Sequence, residues 1–193
     1  MDSIQLTFME HSDIPACARV LSEAMLSNPL HEAVFLGTGE RERRLIEGMF
    51  LDLFSALPAI VYVAKEKSRI VGVMRMKSCQ GRPIPDVAQN PEDETDPAWR
   101  KSVWHAEWAR RDPSEQHWHL GPIGVLPPHQ GTGVGSLFMQ RFCAEVDACG
   151  ATAYLETDLT KNVRFYEKFG FRLIEESDIF GVTNRYMTRP VQG

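Results

Sequence analysis

The stretch HQGTGVGSLFMQRF, residues 129–142, most constrains what this chain can fold into. Gly131, Gly133 and Gly135 stand within five residues and lead directly into apolar residues at helical spacing. Before them, HWHLGPIGVL (117–126) reads as a strand. A strand, a tight glycine turn and a helix therefore follow one another. Four readings of that turn compete. A nucleotide triphosphate loop needs Lys then Ser or Thr at its end, and here the loop ends Gly135-Ser136-Leu137. A dinucleotide loop needs GxGxxG spacing, which GTGVGS lacks. A bare strand-to-helix turn is the plainest reading. The fourth is an anion site. The first backbone N–H groups of a helix have no internal partners, and the helix dipole there favours negative charge. The glycines remove side chains that would block a diphosphate, and residues 130–140 contain no acid to repel it.

Composition narrows the field. The chain has 193 residues, 43% hydrophobic and 24% charged, which suits one ordinary globular domain, residues 1–193. A net charge of −5 argues against a nucleic acid held through phosphates. The four cysteines, Cys17, Cys79, Cys143 and Cys149, form no CxxC pair and have no histidine at zinc-ligand spacing, so no metal is expected. Reduced thiols point to the cytoplasm. No signal peptide and no run of 18 apolar residues is visible, so neither export nor a membrane partner is expected.

The rest of the chain alternates strands and helices. Residues 4–9 alternate as a strand; a helix follows Ser12-Asp13 with Ile14, Ala18, Leu21 and Met25 on its apolar face. A second helix, about 40–55, carries Leu45, Met49 and Leu53 on one side. Residues 59–77 read as two strands joined by a polar turn. After the glycine loop, the helix at about 133–148 presents Val134, Leu137, Phe138, Phe142 and Val146, and Gly150 ends it. Residues 152–157 form a strand, 161–169 a short helix, and FRLIEES and NRYMTR the last strands. The pattern predicts an α/β domain around a mixed sheet. Between about 78 and 116 lies an insertion with five prolines; residues 86–96 hold five acids and no base, and a short helix is expected near 99–110.

Gln130-Gly131-Thr132-Gly133-Val134-Gly135 resembles the Q/R-x-x-G-x-G/A signature of the GNAT acetyltransferases. Val125-Leu126-Pro127 is similar to the V-x-P lead-in, and LETDLTKNVRFYEKFGF (155–171) looks like the second family motif. The resemblance is strongest over 118–171, and within the family the chain is similar to the small-molecule branch that includes puromycin acetyltransferases. It implies a mostly antiparallel central sheet, splayed at the fourth strand and flanked by helices. It also implies acetyl-CoA as co-substrate and direct attack by an amine on the thioester. The loop residues Gln130 to Gly135 and Ser136 would hold the pyrophosphate. GPIG (121–124) is poorly suited to regular pairing, because Pro122 has no N–H, so a bulge or splay would leave backbone groups of Ile123, Gly124 and Val125 for the pantetheine arm. Asn162, Phe165 and Tyr166 would complete the cofactor site, with Asn162 also suited to capping its helix.

Tyr166 occupies the family position of the general acid, and a phenol stays protonated near neutral pH. For the general base, His119 and then Glu156 are the candidates, with ordered water as the remaining option. The expected acceptor is a small-molecule primary amine, and a homodimer is compatible with the sequence. Two other functions stay open: an acyl-CoA-binding domain without catalysis, and transfer to protein N-termini or lysines.

Overall fold

Among the described residues, alternation of β-branched and apolar residues builds seven strands, and they hydrogen-bond into one sheet of order β1-β2-β3-β4-β5-β7-β6. The strands are β1 (Ile4–Phe8), β2 (Ile60–Glu66), β3 (Arg69–Gln80), β4 (Gln116–Val125), β5 (Ala153–Thr157), β6 (Arg172–Ile179) and β7 (Val182–Arg189). This computed structural model describes residues 4–56, 59–89 and 91–192. All neighbouring strands run antiparallel except β4 and β5, which are parallel. Those two pair only at Trp118 with Ala153 and His119 with Tyr154, and then part. The sheet is therefore mixed, mostly antiparallel and splayed at its fourth strand.

Among the described residues six α-helices flank the sheet: α1 (Ile14–Met25), α2 (Pro29–Phe35), α3 (Glu40–Ala56), α4 (Pro97–Arg111), α5 (Val134–Ala148) and α6 (Thr160–Glu167). Two glycines fix which helix covers which face. A Cβ on Gly124 would come within 2.8 Å of Leu21 on α1, and one on Gly72 within 2.9 Å of Phe138 on α5. Gly124 adjoins Val125, the partner of Gly72 across the β3–β4 ladder, so the two glycines point to opposite faces. α1 and α5 thus sandwich the strands beside the splay.

The helical faces differ from the sequence expectation in two places. In α3 the buried residues are Ile46, Phe50 and Phe54, one position on from the expected set, and Leu45 is exposed. In α5 the buried set is Val134, Phe138, Met139, Phe142 and Val146, while Leu137 is exposed. Leu137 lies at the edge of a stripe that 3.6-residue periodicity defines only to within a residue. α2 was not expected at all, although Asn28 and Pro29 are a cap and first-turn proline in sequence; the Asn28 side chain accepts from the His31 N–H.

The insertion is narrower and more ordered than its composition suggests. β3 runs to Gln80 and β4 begins at Gln116, so residues 81–115 leave the sheet. Two of the five acids have local work: Asp96 caps α4 by accepting from the Ala98 N–H at 3.0 Å, and Asp93 accepts from the Thr95 N–H at 2.7 Å. Position 90, within that stretch, lies outside the described residues. α4 docks through Trp108, whose indole donates to Asn184 on β7, and through the Arg111 carbonyl, which accepts from the Tyr154 hydroxyl. It covers the part of the sheet beyond the splay.

Candidate active site

The splay has a local cause. Leu120 pairs with Met76, but Ile123 pairs with Met74, so three steps on β4 match two on β3. The extra residue is a β-bulge at the Gly121-Pro122 step. It reverses the alternation of backbone direction. The Trp118 N–H donates to Thr152 beside β5, whereas past the bulge the Leu126 N–H donates to Val71 on β3. Alternation then turns Gly124 toward β3 and the backbone groups of Ile123 and Val125 toward the open side, where β5 has departed. The Val125 carbonyl there accepts from the Gln130 side chain at 3.0 Å, tying strand to loop. Gly124 is a glycine because α1 presses against it, an explanation that spacing alone does not offer.

Beyond Val125 the chain reaches the glycine loop. Gly131 and Gly133 adopt positive φ of 75° and 97°, where side chains are disfavoured, and a Cβ on either would meet nothing within 4 Å. The space above the loop is open. Gly133 is the N-cap of α5 and has no side chain to cap it; the first intrahelical bond runs from the Leu137 N–H to the Gly133 carbonyl. The N–H groups of Val134, Gly135 and Ser136 therefore lack intrahelical partners, whereas α2 and α4 are capped by Asn28 and Asp96. Thr132 turns its hydroxyl back onto the His129 carbonyl at 2.7 Å and braces the turn. An open cradle, uncapped donors and a loop without acids from 130 to 140 fit a diphosphate. A Cβ on Gly135 would lie 3.5 Å from the Phe165 ring, so the loop helix and α6 meet there.

α6 contributes two further expected residues. Its N-cap is Leu159, so Asn162 sits inside the helix and is not the cap that its residue type suggested. Its amide instead donates to the Thr157 hydroxyl at 3.2 Å, where β5 ends. Tyr166 is buried against Phe165 and Phe171, and its hydroxyl has no hydrogen-bond partner among the described residues. Burial, with the Asp158 charge added, raises its pKa above the ordinary phenol value, so the proton stays on oxygen. Asp158 also accepts from the Asn28 amide and the Leu30 N–H, both at 2.8 Å, and so pins the turn before α2 to the end of β5.

His119 and Glu156 are brought together. His119 Nε2 lies 2.7 Å from Glu156 Oε2, and the other oxygen accepts from Arg82. Both side chains are almost wholly enclosed, at 6% and 2% exposure. Burial alone would raise the Glu156 pKa, but the adjacent His119 and Arg82 outweigh it and hold the carboxyl well below the usual carboxylate range. An ionised carboxylate only accepts, so the hydrogen between the pair sits on Nε2. Nδ1 of His119 is buried without a hydrogen-bond partner among the described residues. Among the described residues Tyr166 makes no hydrogen bond to this pair. Arg82 is the residue that sequence reasoning missed: it comes from the insertion, 74 positions before Glu156, and no local pattern marks it.

Residues 28–171 match the model of the Acetyltransferase (GNAT) family. Among solved structures, the histone acetyltransferase HPA2 and related acetyltransferase from Corynebacterium glutamicum superposes with a TM-score of 0.70 at 20% identity, over 99% of this chain and 98% of that one. The ribosomal-protein-S18-alanine N-acetyltransferase from Escherichia coli gives 0.61 at 14% identity, over 99% and 96%. A GNAT family acetyltransferase from Brucella melitensis in complex with acetyl-CoA gives 0.56 at 16%, over 100% and 91%. At these identities the likeness is one of fold, and it extends over the whole sheet. The family match covers both the splayed strand and the glycine loop, and with it the chain belongs to the GNAT family of acetyl-CoA-dependent N-acetyltransferases.

Proposed function

We propose that this protein acetylates the primary amine of a small molecule, with His119 as general base and Tyr166 as general acid. The observation that carries the small-molecule reading is the enclosure of His119 and Glu156 beneath Arg82 and the insertion. A covered base suits a compact acceptor better than a protein tail. The sequence likeness to the puromycin-type branch supports the same reading without naming the amine. Reduced cysteines support a cytoplasmic setting. Among the described residues no helix is long and apolar enough to cross a membrane.

Acetyl-CoA supplies an acetyl thioester at the end of a flexible arm. The backbone groups of Ile123 and Val125 that face the splay hold that arm in extended form, with Gly124 allowing α1 to back the strand. Gln130, Gly131, Thr132, Gly133, Val134, Gly135 and Ser136 hold the diphosphate through the uncapped N–H groups and the helix dipole. Asn162 and Phe165 border the arm where α5 and α6 meet. Glu156, locked by Arg82, keeps the His119 hydrogen on Nε2. That leaves Nδ1 to take a proton from the acceptor ammonium, directly or through one water. The freed amine lone pair attacks the carbonyl carbon and the carbon–sulfur bond breaks. Tyr166 gives its hydroxyl proton to the departing sulfur and is restored by the second proton, which the nitrogen loses as the amide forms. Thiol release measured over a panel of small amines and short peptides tests this assignment: small amines should be turned over and peptide N-termini should not.

A further inference from the structure

Three donors of different chemistry converge at the base of the insertion. Cys79 sits at the end of β3, Asp112 directly after α4, and His117 at the start of β4. Cys79 Sγ lies 3.1 Å from His117 Nε2, and that same nitrogen lies 3.6 Å from Asp112 Oδ1. All three donor atoms fall within 4.8 Å of one another. The other ring nitrogen, Nδ1, donates to the Glu115 carbonyl at 2.8 Å, which fixes the ring and aims Nε2 at the cluster. A Cys-His-Asp relay would put sulfur and carboxylate on opposite ring nitrogens. Here both face Nε2, so the three groups share a point and do not form a relay.

The Asp112 side chain is fully enclosed, and neither of its oxygens has a hydrogen bond among the described residues. Arg82 Nε stands 2.8 Å from Oδ1, but not in hydrogen-bonding geometry, and the same guanidinium bonds Glu156. Arg82 is thus shared between two buried carboxylates, and the His117 ring faces Asp112 from the other side. We propose that Cys79, Asp112 and His117 bind a divalent cation of the zinc class, which fastens both ends of the insertion to the sheet. Mixed sulfur, nitrogen and oxygen donors suit zinc, whose bonds of roughly 2.0–2.3 Å place tetrahedral ligands about 3.3–3.6 Å apart. The two spacings to His117 Nε2, 3.1 and 3.6 Å, lie within a few tenths of an ångström of that range. Cys79 is half-exposed, so water reaches the fourth position. On binding, Cys79 Sγ and His117 Nε2 give up their protons to solvent and become ligands. The site lies outside the groups that transfer the acetyl but shares Arg82 with Glu156, and it fastens the insertion that carries Arg82.

The test is cobalt(II) titration of the chelator-treated, reduced protein, followed by absorption. The expected result is one equivalent bound, with a near-ultraviolet thiolate-to-cobalt band and the visible bands of a tetrahedral ion, both displaced by zinc. A variant carrying Cys17→Ala, Cys143→Ser and Cys149→Ser keeps Cys79 as its only thiol and should retain the band. Cys79→Ser should lose it, and His117→Gln should bind at least about 100-fold more weakly. Acetyl-CoA affinity, unchanged in each variant, reports that the fold is intact. Absence of the thiolate band in the wild type or in the three-cysteine variant overturns the proposal, as does its persistence in Cys79→Ser.

Discussion

His119 Nε2 lies 2.7 Å from Glu156 Oε2 across the last pairs of residues that join β4 to β5. The ladder between the two strands ends where the pair begins to matter, so one break in pairing exposes strand backbone and sets the dyad beside it. His119→Ala should lower kcat by about 10² to 10⁴ while leaving acetyl-CoA binding intact. Glu156→Gln should give a smaller loss in kcat, because it disturbs the tautomer without removing the base. Steady-state rates with calorimetric cofactor titration check both; equal activity in His119→Ala would move the base to water.

Tyr166→Phe removes one hydroxyl from a buried ring and little volume. Turnover should fall by about 10² to 10⁴ with acetyl-CoA affinity unchanged. Full activity in this variant would take Tyr166 out of the mechanism.

The loop glycines separate two effects. Gly135→Leu meets the Phe165 ring and projects where α5 and α6 meet, so acetyl-CoA affinity should drop at least tenfold while the far-ultraviolet spectrum is kept. Gly133→Ala adds strain at φ 97° and should cost about 1–2 kcal/mol of stability as well. Unchanged affinity in Gly135→Leu would reduce the loop to a turn.

Much of this was legible in the sequence because it is local. The glycine loop, the helix behind it and the broken strand before it each announce themselves within ten residues. The splay was foreseeable from Pro122 and its flanking glycines. What escaped depends on distance. Arg82 meets Glu156 only after the insertion folds back over the sheet. Asp112 reaches His117 by the same return, so the spacing of the cysteines and histidines does not reveal that cluster. The shifted face of α3 reflects neighbours on α1, which periodicity does not specify. Asn162 reads as a cap by type, but Leu159 already occupies that position.

His31 gives a pH signature. Burial among Phe35, Phe50 and Trp104 pushes its pKa down to about 3, while its Nδ1 donates to Asn28. The unfolded chain protonates near pH 6.5, so between those values it binds more protons than the folded one. Stability should therefore fall as pH drops below about 6.5, by up to roughly 1.4 kcal/mol per unit from this group. Urea denaturation across pH 4.5–7 should show a shallower slope in His31→Phe; an identical slope would mean that His31 is not buried neutral.

The central claim is acetyl transfer to a small amine, and the most direct measurement follows free thiol and acetylated product together. Purified protein is mixed with acetyl-CoA and each member of a panel of small primary amines, with mass spectrometry of the products. The account predicts at least one amine that yields N-acetyl product and free CoA in equal amounts, with both lost together in Tyr166→Phe. Saturable acetyl-CoA binding without product from any amine would contradict it, and so would acetylation confined to peptide N-termini.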